Sequence, residues 1–329
     1  MLVITGGGGF IGSVLAAALN DAGRSDLVIA DHFGKDDKWR NIAKREFHEI
    51  VPVDGLFSWL DGHGDAVETV FHLGANSATT ERDADYMIAN NLNYSIRVWR
   101  WCAARGRPLI YASSAATYGD GSAGFEDAGG IDALKRLRPL NLYGWSKHAF
   151  DLWAMREAAA GRAPPFWAGL KFFNVFGPNE YHKSDMMSLV AKNWQKIAAG
   201  ENVRLFKSHR PDYADGEQLR DFVYVKDCAA VMLWLWRRAA KGDIGGLYNL
   251  GSGNARSFLD LMRATGKACG RAPLVEFIDI PPEIRPNYQY FTEAKMNRLR
   301  QAGYNTPFTP LEDAVRDTVA QYMRADPYL

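Results

Sequence analysis

The sequence predicts an α/β fold: a doubly wound parallel sheet with a smaller mixed α/β domain attached. Three observations predict it. Short apolar runs alternate with helix-like segments through the first half, and a glycine cluster joins the first run to the first helix. The second half loses that alternation to prolines and longer loops.

In the first half, strands are expected at Leu2–Thr5, Leu27–Asp31, Thr69–Leu73, Leu109–Ser113 and Trp167–Phe173. Helical patterns fill the intervals Ser13–Ala22, Asp83–Arg105 and Tyr143–Ala160. Gly23 and Gly106 stand where a left-handed residue closes a helix. In the second half, Pro164, Pro165, Pro178, Pro211, Pro273, Pro281, Pro282 and Pro286 punctuate the chain. Helices are expected at Asp185–Ala199 and Val225–Ala240. A late strand, Leu247–Leu250, ends in Gly251-Ser252-Gly253 and leads into a helix from Phe258. The pattern divides the chain into residues 1–173 and 174–329, with a return to the first sheet near 220–253.

Composition narrows the function. The 329 residues carry a net charge of +1, with Lys and Arg spread along the chain, which speaks against nucleic acid as a partner. Cys102, Cys228 and Cys269 lie far apart without neighbouring histidines, so neither a disulfide framework nor a metal site is expected. The N-terminus lacks a basic, then apolar, leader, and the apolar run Ala229–Trp236 is too short to span a bilayer. The expectation is a cytoplasmic protein.

The first chemical motif is LVITGGGGFIGS at residues 2–13. Gly6, Gly9 and Gly12 form G-x-x-G-x-x-G; Gly7, Gly9 and Gly12 satisfy G-x-G-x-x-G. A tight turn and a bare backbone let a pyrophosphate approach, and the following helix N-terminus supplies free N–H groups. Strand, glycine loop and helix in that order open a Rossmann dinucleotide-binding domain. Asp31, about 20 residues on, suits a ribose hydroxyl and NAD. Lys35, Lys38 and Arg40 suit a 2′-phosphate and NADP, so the residues alone leave the choice open. Gly74-Ala75 follow a strand, where small residues let a loop lie against the cofactor. Asn90 and Asn91 sit awkwardly in a helix, which suits either a capping or surface role or, the reading favoured here, a polar contact that orders the cofactor loops.

The second motif is a reaction centre. One strand delivers Ser113 and Ser114 to the carboxyl edge of the sheet, and Tyr143 and Lys147 stand four apart on one helix face. A lysine cation beside the phenol, with an oxidised nicotinamide, would lower the phenol's pKa toward a working range. Ser114 would stabilise charge on the reacting oxygen. Arg220 is either a fork for a diphosphate or the partner of Asp221 or Asp227. The polar segment 207–218 is either a lid or a mobile loop.

TGGGGFIGS, YASSAATYG, YGWSK, FFNVFGP and RDFVYVKD resemble the extended short-chain dehydrogenase/reductase superfamily. FHLGANSATTE, NLYGWSKHAFD and KFFNVFGPNEYHKS resemble the ADP-glyceromanno-heptose 6-epimerase family, and the likeness runs to NYQYFTEAKMNRLRQAGY and FTPLEDAV. The resemblance implies Tyr143 and Lys183 as two acid/base groups, Lys147 on the nicotinamide ribose and Ser114 on the sugar oxygen. It implies cofactor contacts at Phe10, Ile11, Asp31, His32, Lys38, Leu73, Gly74, Ala75, Asn76, Ser77, Asn90 and Val175, with Lys183 also at the cofactor. Lys38 then favours NADP. It implies sugar-nucleotide contacts at Asn174, Arg220 and Tyr288, and a homo-oligomer such as a pentamer. Asp185 and Lys192 align where some members carry serine and histidine on the substrate side, and Phe206 opens a longer segment up to Arg220. The implied reaction is epimerisation at the heptose C6 through a 6-keto sugar. A 4-epimerase would use Tyr143 without Lys183. A 4,6-dehydratase would want an acidic pair where residues 113–116 read Ser-Ser-Ala-Ala, and a non-catalytic regulator would not need the tyrosine–lysine pair.

Overall fold

The structure is a computed structural model and describes the chain from Met1 to Leu329 apart from residues 243, 283, 286 and 287. Its strands are β1 (Leu2–Thr5), β2 (Leu27–Ala30), β3 (Glu49–Val51), β4 (Thr69–His72), β5 (Leu109–Ser114) and β6 (Trp167–Phe172). They continue with β7 (Asn174–Phe176), β8 (Asn202–Phe206), β9 (Leu219–Tyr224), β10 (Gly246–Leu250), β11 (Ala255–Ser257) and β12 (Leu274–Ile278). The helices are α1 (Phe10–Asp21), α2 (Leu56–His63), α3 (Ala84–Met87), α4 (Tyr94–Arg105), α5 (Gly130–Leu134) and α6 (Leu142–Ala159). After them come α7 (Leu189–Ala199), α8 (Val225–Ala239), α9 (Phe258–Cys269), α10 (Asn297–Gln301) and α11 (Leu311–Asp317).

Seven strands form one parallel sheet in the order β10-β6-β5-β4-β1-β2-β3. Every residue of β1, β2, β4, β6 and β10 is buried, as a parallel sheet covered on both faces requires. The late strand returns as expected: β10 pairs with β6, matching Leu247 with Gly169 and Leu250 with Phe172. The order reverses between β1 and β4, and the crevice outside their carboxyl ends is where such sheets take ligands. A smaller three-stranded sheet, β11-β9-β7, and the pair β12-β8 stand beside it. A second apolar cluster gathers there around Phe176, Val190, Leu205, Phe222 and Leu261.

Three elements differ from expectation for local reasons. β3 adds an edge strand whose Glu49 and Ile50 face solvent, so no apolar run announces it. The helix expected at Asp83–Arg105 is interrupted by a π-helical turn, Ile88–Asn93, that carries both asparagines. The helix expected from Asp185 starts at Leu189, because Ser188 caps it by accepting from Ala191 N; Asp185 belongs to a preceding 3-10 turn, Tyr181–Met186. Among the described residues, no helix is long and apolar enough to cross a membrane. Cys102 and Cys228 are buried and Cys269 is half-buried.

Candidate active site

A single cavity of about 1190 Å³ runs along the carboxyl ends of the large sheet. β1 brings Gly6 to it, β2 Asp31, β4 Leu73 and Gly74, β5 Ser114, and β6 leads into Asn174 and Val175. Gly9, Phe10, Ile11, Gly12, Lys38, Ala75, Ser77, Tyr143, Lys147, Lys183, Arg220 and Tyr288 also line it. Most of the residues singled out in the sequence are therefore brought together.

The glycine loop is shaped for close approach. Gly6 has φ +70, and a Cβ there would lie 2.6 Å from the Gly74 nitrogen, so the loop after β4 closes directly onto it. Thr5 Oγ1 holds that approach by accepting from Gly74 N at 3.1 Å. At the start of α1 no side chain caps Gly9, and the first turn contains no acidic residue. Free amides at the positive end of a 12-residue helix, with no carboxylate competing, fit a pyrophosphate.

Asp31 is occupied by the protein itself. Its Oδ2 accepts from Gly8 N at 2.8 Å, and its Oδ1 accepts from His32 N and from Lys38 Nζ, both at 2.7 Å. Lys38 also donates to the His32 carbonyl at 2.8 Å. The carboxylate thus fixes the glycine loop and holds an ammonium beside it on the cavity wall.

Asn91, rather than Asn90, orders the loop after β4. It is buried; its Oδ1 accepts from Asn76 N at 2.9 Å, and its Nδ2 donates to Asn76 O at 2.9 Å and to Ser146 Oγ at 3.1 Å. The π-helical turn lets this amide reach both the loop and α6. Asn90 only donates to Asn91 Oδ1, at 3.0 Å.

At the reaction centre, Gly144 lets α6 approach: a Cβ there would sit 2.7 Å from the Ala116 carbonyl. That contact sets Tyr143 beside Ser114, whose side chain hydrogen-bonds the phenol. Lys147 is buried and donates to the Ala112 carbonyl at 2.8 Å. Burial raises the Tyr143 pKa, with Ser114 pulling it down and Asp151 adding to the rise. Burial also pushes Lys147 down to about 8, against the support of Asp151. Burial thus works against the lowering of the phenol, for which the neighbouring ammonium is expected to act together with an oxidised nicotinamide. Lys183 comes from the other side, on the 3-10 turn after β7, with its Nζ 5.1 Å from the centre of the Phe10 ring. Its pKa is lowered by burial and partly restored by Glu180. Glu180, which no sequence motif flagged, is fully buried and accepts from Ser188 N at 2.6 Å and Ser188 Oγ at 2.7 Å, so it ties that turn to α7.

Arg220 is 7% exposed and lies over the rings of Phe258 and Tyr288, 5.3 Å from each centroid. It donates to the Leu219 carbonyl at 2.9 Å and the Gln289 carbonyl at 2.5 Å. Neither suggested carboxylate serves it. Asp221 accepts from the backbone of Ser252, Gly253 and Ala294, and Asp227 accepts from Thr309. Among the described residues Arg220 has no carboxylate partner.

Six of the positions drawn from the family resemblance lie off the cavity wall. The His32 side chain is exposed, and Asn76 is spent on its own loop, accepting from Ala78 N at 2.9 Å. Asn90 faces Asn91 as described. Asp185 is exposed, and its backbone carbonyl accepts from Lys192 Nζ at 2.5 Å. Phe206 packs edge-on behind Tyr288, with centroids 5.8 Å apart.

A family model described as "NAD dependent epimerase/dehydratase family" matches residues 2–251. The chain belongs to that family. It is 49% identical, over all of both chains, to an ADP-L-glycero-D-manno-heptose-6-epimerase of Nitratidesulfovibrio vulgaris. The Helicobacter pylori ADP-L-glycero-D-manno-heptose-6-epimerase superposes with a TM-score of 0.77 at 25% identity, covering 97% of this chain and 95% of that one. The fold is shared with the Thermus thermophilus UDP-glucose 4-epimerase in complex with NAD, with a TM-score of 0.77, 23% identity and 98% and 99% coverage. The protein is thus an epimerase-family enzyme, an isomerase, that uses a nicotinamide dinucleotide.

Proposed function

We propose that the protein converts ADP-D-glycero-D-manno-heptose to ADP-L-glycero-D-manno-heptose, an epimerisation at C6 that supplies the heptose of a lipopolysaccharide core. The observation that carries this reading is that Tyr143 and Lys183, from α6 and from the turn after β7, line the cavity of the glycine loop. A nicotinamide dinucleotide, which the glycine loop and Lys147 would hold, would supply reversible hydride transfer at C6 when bound. Tyr143, steadied by Ser114, handles the hydroxyl proton of one epimer, and Lys183 that of the other. Burial lowers the Lys183 pKa, so its amine is neutral, and free to accept a proton, more of the time than that of an exposed lysine. Lys147 holds the nicotinamide ribose. Arg220, a buried guanidinium with no carboxylate partner among the described residues, takes the diphosphate, with Asn174 and Tyr288 beside it.

The cofactor in this reading is NADP. Asp31 already accepts three hydrogen bonds, one of them from Lys38, an ammonium of the kind that a 2′-phosphate calls for, which supports NADP over NAD. Residues 1–173 with β10 hold the cofactor, and most of 174–329 holds the sugar nucleotide. The enzyme works in the cytoplasm as a homo-oligomer, a pentamer by family resemblance. Asp185, Lys192 and Phe206 stand off the cavity wall and take no part in this reading.

Incubation with ADP-D-glycero-D-manno-heptose is expected to yield the L-glycero product, and UDP-galactose no product. Turnover of UDP-galactose alone would reject the assignment. Mass spectrometry of the purified protein identifies the dinucleotide, and size-exclusion chromatography with light scattering gives the assembly.

A further inference from the structure

The turn that carries Lys183 is docked onto the cofactor half by two buried amides. Asn179 donates through Nδ2 to Ser13 Oγ on α1 at 2.9 Å. Asn41, 1% exposed, donates through Nδ2 to the Gly8 carbonyl at 2.9 Å and also meets His182 Nδ1 at 3.1 Å. A carbonyl accepts only, so the Gly8 oxygen fixes which end of the Asn41 amide faces it. Asn41 Oδ1 is left buried without a partner among the described residues. The second proton of Nδ2 then points at His182 Nδ1, which must accept it. The imidazole proton therefore resides on Nε2.

His182 lines the same cavity as Asp31 and Lys38, and no protein hydrogen bond engages its Nε2 among the described residues. Burial, with Lys38 and Lys183 nearby, pushes the ring down to about 4, while Asp36 and Asp31 oppose this weakly. It stays neutral at physiological pH, and the tautomer is single. We propose that His182 is a further cofactor-binding residue, donating its Nε2–H beside Lys38 to the 2′-phosphate of NADP and so contributing to the choice of NADP over NAD. This rests on the NADP reading above. The same residue adjoins Lys183, so the phosphate end of the cofactor and the second proton-handling group share one docked turn.

The test uses protein freed of bound nucleotide and two probes that differ only in the phosphate in question: adenosine 2′,5′-bisphosphate and AMP. Calorimetric titration of wild type, His182→Ala and Lys38→Ala gives the affinities. His182→Ala is expected to weaken the bisphosphate about tenfold and AMP less than about twofold, the loss of one hydrogen bond to a charged group. His182→Phe, which fills the space without a donor, gives the same contrast should the alanine variant not fold. Equal weakening of both probes would mean a merely structural histidine and overturn the inference. Loss of bisphosphate affinity in Lys38→Ala but not in His182→Ala would overturn it while leaving NADP in place. Wild-type protein that binds both probes equally would overturn the NADP reading and this inference with it.

Discussion

Asp151 and Lys171 form an ion pair at 2.6 Å in which neither side chain reaches solvent, one helical turn along α6 from Lys147. The carboxylate also accepts from Ser113 Oγ at 2.7 Å and Tyr111 OH at 3.0 Å, and the ammonium donates to Thr117 Oγ1 at 2.7 Å. The pair thus locks β5, β6 and α6 together directly beneath Tyr143, Lys147 and Ser114.

Removing one partner strands a charge in the core. Asp151→Asn is expected to lower the unfolding free energy by about 3 kcal/mol, and Asp151→Asn with Lys171→Met to recover most of that loss. Equilibrium urea denaturation reads both. A double variant as unstable as the sum of the singles would show that the pair does not act as a unit.

Tyr143→Phe is expected to lower kcat about a thousandfold, the usual worth of a positioned acid/base, while dinucleotide affinity stays within about twofold. Combined with Lys183→Met it is expected to abolish epimerisation with ADP-heptose still bound. Steady-state kinetics and calorimetry together separate chemistry from binding, and wild-type turnover by the double variant would remove both groups from the reaction.

Acid should destabilise the protein in part through His72. The ring is buried between Thr5 Oγ1 at 2.7 Å and Ser95 Oγ at 2.8 Å, and burial, then Lys147, pushes its pKa from 6.5 to about 3. Between those values the unfolded chain binds the proton and the folded chain does not, so stability rises with pH. It is complete above about 6.5 and lost as pH falls toward 3. From pH 7 to pH 5 this group alone accounts for about 2 kcal/mol. In urea titrations at the two pH values, His72→Gln should flatten the dependence by that amount; an unchanged slope would assign it elsewhere.

Ser184, directly after Lys183, holds φ +47 and ψ −118, a left-handed setting suited to glycine. Ser184→Gly should relieve that strain and raise the urea midpoint by the equivalent of about 1 kcal/mol. A lower midpoint would show that the serine hydroxyl, rather than the backbone, matters at this turn.

Legibility in the sequence followed burial. β1, β2, β4, β5, β6 and β10 were readable because they are runs of buried, largely apolar residues. β8 alternates exposed and buried positions, but five residues give period two too little length to stand out. The glycine loop, Tyr143 and Lys147 were legible because their chemistry is local in the chain. Asp151, Asn179, Glu180 and Asn41 were not. Several of them act on partners far away in the chain, such as Asn179 on Ser13, 166 residues apart, and no short window records such a pairing. Arg220 could not be separated from Asp221 by sequence, because what frees it is the capture of that carboxylate by distant backbone amides.

The return of β10 has a consequence for biosynthesis. Buried Tyr118 donates to Asn249 Oδ1 at 2.7 Å, and Asn249 in turn donates through Nδ2 to the Phe125 carbonyl. Until residue 250 clears the ribosome, β6 is left as a bare edge and the 118–127 loop lacks its anchor. The nucleotide-binding half therefore cannot be completed by a nascent chain, or by a recombinant fragment, that stops near residue 173.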